Sequence, residues 1–506
     1  MTETAPVVSI VIPVYNSMPY LTGTVASLLA QELTNFEIIA VNDGSTDGSG
    51  DELDRAAADD PRITVVHQPN SGWPGMPRNR GLDLARGKYV LFMDADDTVA
   101  PTALAAMVHQ ADEHDADVII PRFEGVGGRH VQALFERHPE GPIELSRAME
   151  SLSPQKLFRR EMLENNGLRF PEGRVRLEDG IFVTRAYVLA RRIMFCGATP
   201  LYFIALRDDG QNISGQRIDP DNYVDSCRRI AETLIDGVND PVLAQLLVRQ
   251  FFGRKGLRFY TQKRWGQMDD AARQRWVDLH RAFLRDLIDP NGDADIVHPS
   301  DRRKVELIRA GDVAGLDQLI TSAAALEHVA RVSDVRKVAG GLEVTVEVRP
   351  ASPDSSALTA GDGIRVRVAD RLYRTLRPRL DQRFVRGASR RAASVFVGRR
   401  TEATLLLAGR KRGRGVAIPG RIAPPAPNSD ASTRDKQPRY RFVLPHSLLK
   451  RYRGERVDAW TVLEAGHRFS GDRSRVTWQC DADRRVDGVR VYATDRGNFS
   501  MQFRAK

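Results

Sequence analysis

From residue 7 to about residue 120, short unbroken apolar runs alternate with longer stretches in which apolar residues recur every three or four positions. VVSIVI (7–12) reads as a buried strand, and MPYLTGTVASLLAQ (18–31) sets Leu21, Val25, Leu28 and Leu29 at helical spacing. FEIIAV (36–41), ITVVHQ (63–68), KYVLFMD (88–94) and ADVII (116–120) read as further strands. DELDRAAAD, PRNRGLDLAR and PTALAAMVHQADEH are the helices between them. Strands separated by helices predict an α/β fold with a mostly parallel sheet, covered by helices on both faces.

Ligands of such sheets bind beyond the carboxyl ends of the strands. The polar residues collect there: Pro13 to Asn16, then Asn42, Asp43 and Gly44, then Asn70 to Pro77, then Asp94 to Asp97. One such cluster is an ordinary turn, because Asp, Asn and Gly favour turns. Four at successive strand ends predict one crevice. No G-x-G-x-x-G follows the first strand and no G-x-x-x-x-G-K-[ST] occurs, so neither a Rossmann dinucleotide site nor a P-loop is indicated. Asp94, Asp96 and Asp97 close an apolar strand with three charges that repel. Mn2+ or Mg2+, hard cations that take oxygen ligands and bridge to substrate phosphates, would offset that repulsion.

Beyond residue 217 the period becomes helical in YVDSCRRIAETLIDGV, PVLAQLLVRQFFGRKGLRFYTQ and DDAARQRWVDLHRAFLRDLI. Tyr260, Trp265 and Trp276 are expected in its core rather than as sugar platforms. From about residue 328 short strands follow one another: LEVTVEVRP, GIRVRVADRLY, EATLLLAG, YRFVLP, VDAWTVLEAG, SRVTWQC and DGVRVYAT. The expected division is a catalytic domain over 1–217, a helical linker over 218–327 and a β-sandwich of immunoglobulin-like plan over 328–506.

Composition adds class and partners. Apolar residues at 42% and charged residues at 28% describe a folded protein, and no stretch approaches the ~20 apolar residues of a membrane helix. A cytosolic location is expected. Cys196, Cys227 and Cys480 show no C-x-x-C spacing, so they are expected as reduced thiols. Lysine plus arginine (75) exceeds aspartate plus glutamate (66), for a net charge of +9 that suits a polyanionic partner. RRAASVFVGRR (390–400) and GRKRGRG (409–415) concentrate that charge; solvated surface is the plainer reading of such runs, and polyanion tethering the sharper one.

VSIVIPVYNSMPYL, VNDGSTDGS, NSGWPGMPRNRGL and FMDADD, in that order and at strand ends, resemble the catalytic domain of inverting family-2 glycosyltransferases with the GT-A (Rossmann-like) fold. SPQKLFRREMLENNGLRFPEGRVRLEDGIFVTRAYVLARRI (153–193) and LYFIALRDDGQNISG (201–215) narrow the resemblance to bacterial enzymes that attach N-acetylglucosamine to the poly(ribitol phosphate) of wall teichoic acid. It covers residues 7 to about 220, and the rest only in plan. It implies a UDP-sugar donor, an anionic polyol-phosphate polymer rather than nucleic acid as acceptor, and work at the inner membrane face. It also implies a C-terminal domain used for homo-oligomer contacts or polymer binding.

By the same resemblance Pro13 and Asp43 would hold uridine, and Asn70 and Arg78 would lie along the nucleotide and diphosphate. Asp94-Ala95-Asp96 is the D-x-D, with Asp94 toward the ribose or sugar and Asp96 as metal ligand. Asp179, preceded by Glu178, would be the general base, and Arg207 would neutralise the phosphates. Asn212 stands where many relatives carry a histidine near the metal. Inverting transfer needs one carboxylate to take the acceptor's proton and positive charge on the leaving diphosphate, which fits these residue types. Each also has a bland reading. Negative charge at a helix start is favourable without catalysis. Arg78 would suit a solvated helix face, and Arg207 could pair with Asp208 or Asp209. A UDP-sugar transferase acting on a lipid-linked or capsular acceptor is the alternative within the enzyme class; a non-catalytic polyanion-binding protein on a transferase scaffold is the alternative of another class, and retention of Asp43, Asp94, Asp96 and Asp179 argues against it.

Overall fold

The computed structural model describes residues 5–129, 131–132, 134–135, 138–207, 218–296, 298–321, 328–350, 401–410, 415–423, 439–465, 468–469, 474–478, 483–494 and 497–503. Asn212, Cys480, the strand expected at 363–373 and the basic run 390–400 lie outside them. Two compact units result: Met1–Gly256 with Asp286–Ile288, and Leu257–Arg285 with Asp289–Lys506. The stretch expected as a separate helical linker is shared between the two.

The first unit opens β1 (Val8–Val14), α1 (Tyr20–Leu29), β2 (Phe36–Asp43), α2 (Ser49–Asp59), β3 (Ile63–Gln68), α3 (Gly75–Leu84) and β4 (Tyr89–Phe92). Then come β5 (Thr98–Val99), α4 (Ala103–Glu113), β6 (Val118–Pro121), β7 (Phe123–Val126), β8 (Gly141–Pro142), α5 (Leu145–Ala148) and β9 (Leu157–Arg159). It ends with α6 (Arg160–Asn165), α7 (Glu178–Leu189), β10 (Ile193–Cys196), β11 (Tyr202–Ala205), α8 (Pro220–Gly237) and α9 (Pro241–Lys255).

Eight strands form one sheet in the order β3-β2-β1-β4-β9-β6-β10-β8. Pairings β3-β2, β2-β1, β1-β4 and β6-β10 are parallel, as the alternation of strands and helices requires. The sheet is mixed rather than uniform, because β9 enters antiparallel between β4 and β6. That short strand carries the SPQKLFR segment into the middle of the sheet, next to β4, which runs out two residues before Asp94. β5, β11 and β7 make a second sheet of three strands over this end.

Residues on the central strands are buried on both faces, which explains their unbroken apolar runs. Helix α3 comes so close to β1 that a Cβ on Gly81 would lie 2.4 Å from Val11 Cγ1. Gly81→Ala should therefore cost about 1–3 kcal/mol of overpacking, against a propensity gain of about 1 kcal/mol. A lowered denaturation midpoint would show it, and an unchanged one would contradict the close approach.

In the second unit the expected core aromatics are buried. Phe259 stacks on Trp276 at 3.8 Å and Tyr260 on Trp265 at 5.4 Å. Tyr260 shares a hydrogen bond of 2.9 Å with the buried His280, whose burial pushes its pKa down to about 3. The remainder is β-rich. Strands His328–Val338, Gly341–Pro350 and Arg439–Pro445 pair antiparallel, as do Thr401–Gly409 and Arg456–Ala465. Their inward residues share one core, with Val332, Leu342 and Phe442 from the first group and Leu405 and Ala459 from the second. Among the described residues no helix is long and apolar enough to cross a membrane. Cys196 and Cys227 are buried.

Candidate active site

The carboxyl ends of β1 and β2 are tied together by their own polar residues. Asn16 Oδ1 accepts from the Thr46 backbone N–H at 2.8 Å, and the Asn16 N–H donates to Ser45 Oγ at 3.1 Å. Asp43, at the end of β2, accepts from Gln68 Nε2 at 2.7 Å, the Ser71 N–H at 3.0 Å and Ser71 Oγ at 2.8 Å. Asn70 Nδ2 donates to the Asp43 carbonyl at 3.0 Å. Gly44 has φ +71 and its Cβ position would lie 2.8 Å from Asn70 N, so only glycine lets this turn close. Pro13 sits in β1 beside Val41.

The second group gathers around Arg78. PRNRGLDLAR reads as a helix with a solvated polar face, but the guanidinium of Arg78 in α3 is almost wholly buried, with a relative exposure of 3%. Nη1 donates to Asp179 Oδ1 at 2.6 Å, Nη2 to Asp94 Oδ1 at 2.9 Å, and Glu178 Oε1 lies 3.7 Å from Nη1. Burial opposes its charge, yet Asp179, Asp94 and Glu178 together raise its pKa above the ordinary value. The ring of Phe170 lies 5.3 Å beneath it and is itself stacked on Phe182 at 3.9 Å. Asn79, one residue on, holds the Phe170 backbone at both its carbonyl (3.0 Å) and its N–H (2.9 Å).

Helix α7 supplies Glu178 and Asp179 in its first turn, preceded by Leu177 in the left-handed region at φ +57. A branched side chain seldom adopts that conformation, and here it turns the chain so that both carboxylates meet Arg78. The helix-terminus reading of this pair is true and incomplete. Burial, with neighbouring Asp179, pushes the Glu178 carboxyl up to about 8. Asp179 is raised too, by desolvation and Asp94 against the pull of Arg78 and Lys156, while its side chain keeps 31% exposure.

Asp94, Asp96 and Asp97 bring ligand oxygens within 4.8 Å of one another. Their bonding separates their roles. Asp97 is buried, accepting from Tyr202 Oη and the Ala205 N–H, each at 2.9 Å, so both oxygens serve the fold. Asp94 is held by Arg78 on one oxygen and by Gln155 Nε2 on the other. Asp96 receives no side-chain hydrogen bond among the described residues, and burial beside Asp94 pushes it up to about 6, opposed by Arg207 and Arg129. An open carboxylate next to an oriented one is a donor set that fits a hard divalent cation. Ala95, between them, is buried and its carbonyl accepts from Thr24 Oγ1 at 2.9 Å. Arg207 donates to the Asn16 carbonyl at 2.8 Å and lies over Tyr20 at 5.2 Å.

The structure thus brings Arg78, Asp94, Glu178 and Asp179 into direct contact, with Asp96 and Arg207 beside them. Asp43 and Asn70 form a separate hydrogen-bonded cluster. Residues not singled out from sequence are Gln155, Lys156, Thr24, Tyr202 and Arg129. Lys156 is fully buried, bonded to Ser151 Oγ and the Ser153 carbonyl, and burial lowers it to about 7. Its place in SPQK beside an apolar run was the available signal.

A family model for glycosyl transferase family 2 matches residues 9–176, and one for the glycosyl transferase TarS linker domain matches 220–320. A glycosyltransferase of Streptococcus pneumoniae, GlyG, is 31% identical over 47% of this chain and 82% of its own length. The chain belongs to the family-2 glycosyltransferases. Within that family it is 34% identical to the poly(ribitol-phosphate) beta-N-acetylglucosaminyltransferase TarS of Staphylococcus aureus, over 55% of this chain and 52% of that one. It is 31% identical to a poly(ribitol-phosphate) beta-glucosyltransferase of Bacillus spizizenii, over 62% and 50%. The chain therefore spans about half the length of these two curated relatives. Crystal structures of S. aureus TarS match as well. The 1–349 fragment in complex with UDP-GlcNAc has a TM-score of 0.57 and 26% identity, over 67% of this chain and 96% of that one. The longer TarS structure matches in fold, at TM-score 0.59 and 20% identity, over 99% and 85%.

Proposed function

We propose that this family-2 glycosyltransferase is a metal-dependent, inverting enzyme that moves N-acetylglucosamine from a UDP-sugar to a hydroxyl of a polyol-phosphate polymer of the wall teichoic acid type. The observation that carries the reading is Arg78, which links a partly open carboxylate on α7 to the carboxylate cluster at the end of β4. A base and a cation-holding group are thereby fixed on one crevice. The donor is supported by the likeness to TarS with UDP-GlcNAc, and the acceptor by the names of the relatives. Glucose is the second reading for the sugar, favoured by the match to the Bacillus enzyme. The β-rich C-terminal region is read as an immunoglobulin-like sandwich.

Asp179 would take the acceptor hydroxyl's proton as that oxygen attacks the anomeric carbon and the bond to UDP breaks. Glu178, with its raised proton affinity, keeps its own proton near neutral pH and so spares Asp179 a second neighbouring charge. Arg78 keeps Asp179 oriented and opposes the rise in its pKa, and Arg207 adds positive charge near the leaving diphosphate. Asp96 with Asp94 would hold Mn2+ or Mg2+, which when bound neutralises the diphosphate's developing charge. Because Asp179 is raised and must be unprotonated, transfer is expected to rise with pH through its titration. Asp96 protonates near pH 6 in the metal-free protein, so Mn2+ affinity should fall by up to about tenfold per unit below that, readable by titration at stepped pH.

The test is incubation of the protein with UDP-N-acetylglucosamine or UDP-glucose and poly(ribitol phosphate), followed by mass analysis of the polymer. N-acetylhexosamine on the polymer supports the reading; hexose from UDP-glucose alone moves the donor to glucose. An unmodified polymer with both donors would contradict the proposed acceptor.

A further inference from the structure

We propose that Gln155 is a positioning residue for the cation site: it fixes the second oxygen of Asp94, so that the carboxylate pair meets the metal in one orientation. The inference rests on the metal reading above and adds to it a residue outside the D-x-D.

Of the two carboxylates read as holding the cation, Asp94 is the one gripped from two sides. Arg78 holds Oδ1 from α3 and Gln155 Nε2 holds Oδ2 from the segment entering β9, sixty-one positions away in sequence. A carboxylate tied at one oxygen can swing about its own axis; tied at both, it cannot. Gln155 is itself rigidly placed, with a relative exposure of 5%. Its neighbours in sequence are anchored, Lys156 by Ser151 and Ser153 and Leu157 by pairing with Leu91 in β4. The amide that reaches Asp94 is therefore carried by the sheet.

The other end of the same amide points to the purpose. Gln155 Oε1 is buried with no hydrogen-bond partner among the described residues. Leaving such an oxygen dry costs about 1–3 kcal/mol, which Leu or Met of similar volume would avoid. Packing alone therefore does not explain a glutamine here, whereas donation to Asp94 does. A lysine or arginine could also donate, but would set a second cation against the metal beside Arg78. A neutral donor orients Asp94 without competing for its charge. Partners that orient a ligating carboxylate in this way typically contribute 10–100-fold in metal affinity.

The experiment is Mn2+ binding to the full chain in the presence of UDP, read by the paramagnetic resonance of free Mn2+. It compares wild type, Gln155→Met, Asp94→Asn and the double variant, with a thermal melt of each. Gln155→Met should melt at or above the wild-type temperature and bind Mn2+ about tenfold more weakly. Adding Gln155→Met to Asp94→Asn should cost nothing further, because the amide acts through that carboxylate. Gln155→Leu serves the same comparison should the methionine variant fail to fold. Wild-type Mn2+ affinity in the folded variant, or losses that simply add in the double variant, would overturn the proposal while leaving the metal reading intact. A wild-type protein that binds no Mn2+ would overturn both.

Discussion

Asp179→Asn is expected to lower sugar transfer about 10³-fold, within the 10²–10⁴ that a positioned general base contributes, while UDP-sugar binding stays close to wild type. The substitution keeps the size of the side chain and a hydrogen bond to Arg78, so the helix start and the aromatic layer under it should be undisturbed. What it removes is the lone pair that takes the acceptor's proton. Asp179 is the carboxylate suited to that task, since Asp94 is tied at both oxygens, Asp97 is buried on the fold, and burial raises the proton affinity of Glu178. Comparing single-turnover transfer with donor affinity by calorimetry separates the two effects. A fall in donor affinity with an unchanged transfer rate would move Asp179 out of the base's role.

Arg78→Met is expected to be the most destabilising substitution in the catalytic unit, by about 3–5 kcal/mol, because it strips the buried counter-charge from Asp94 and Asp179 at once. Those carboxylates would recover part of the loss by binding protons, so the variant should be markedly more stable at pH 6 than at pH 8. Arg78→Lys should not restore the wild type: a single ammonium cannot fork between Asp179 on one side and Asp94 on the other. Denaturant titration at the two pH values reads both effects. A variant as stable as the parent at pH 8 would mean that the bridge is not the counter-charge it looks to be.

Much of this site was legible in the chain. The strand-end clusters at Asp43, Asn70 and Asp94–Asp97 follow from apolar runs that stop at polar residues, and the strands are where those runs stand. Arg78 was harder to place physically. Within α3 it looks like one polar residue among several, and its burial comes from Phe170 and α7, which arrive about a hundred residues later. Strand β9 escaped because three residues are too few to show a period, and its antiparallel insertion depends on neighbours distant in sequence. His328–Val338 does not read as a strand from sequence, because a register shift between Val332 and Asp334 breaks its alternation. Nothing local to the SPQK segment marks the Gln155 amide as reaching Asp94.

The most direct measurement is UDP release by the purified chain given UDP-N-acetylglucosamine and poly(ribitol phosphate), with Mn2+ or with EDTA, for wild type and Asp179→Asn. Release that needs the polymer, stops in EDTA, returns with Mn2+ and is nearly lost in Asp179→Asn is the expected result. Polymer-dependent release that persists in EDTA, or at full rate in Asp179→Asn, would contradict the account of a metal-dependent transferase whose base is Asp179.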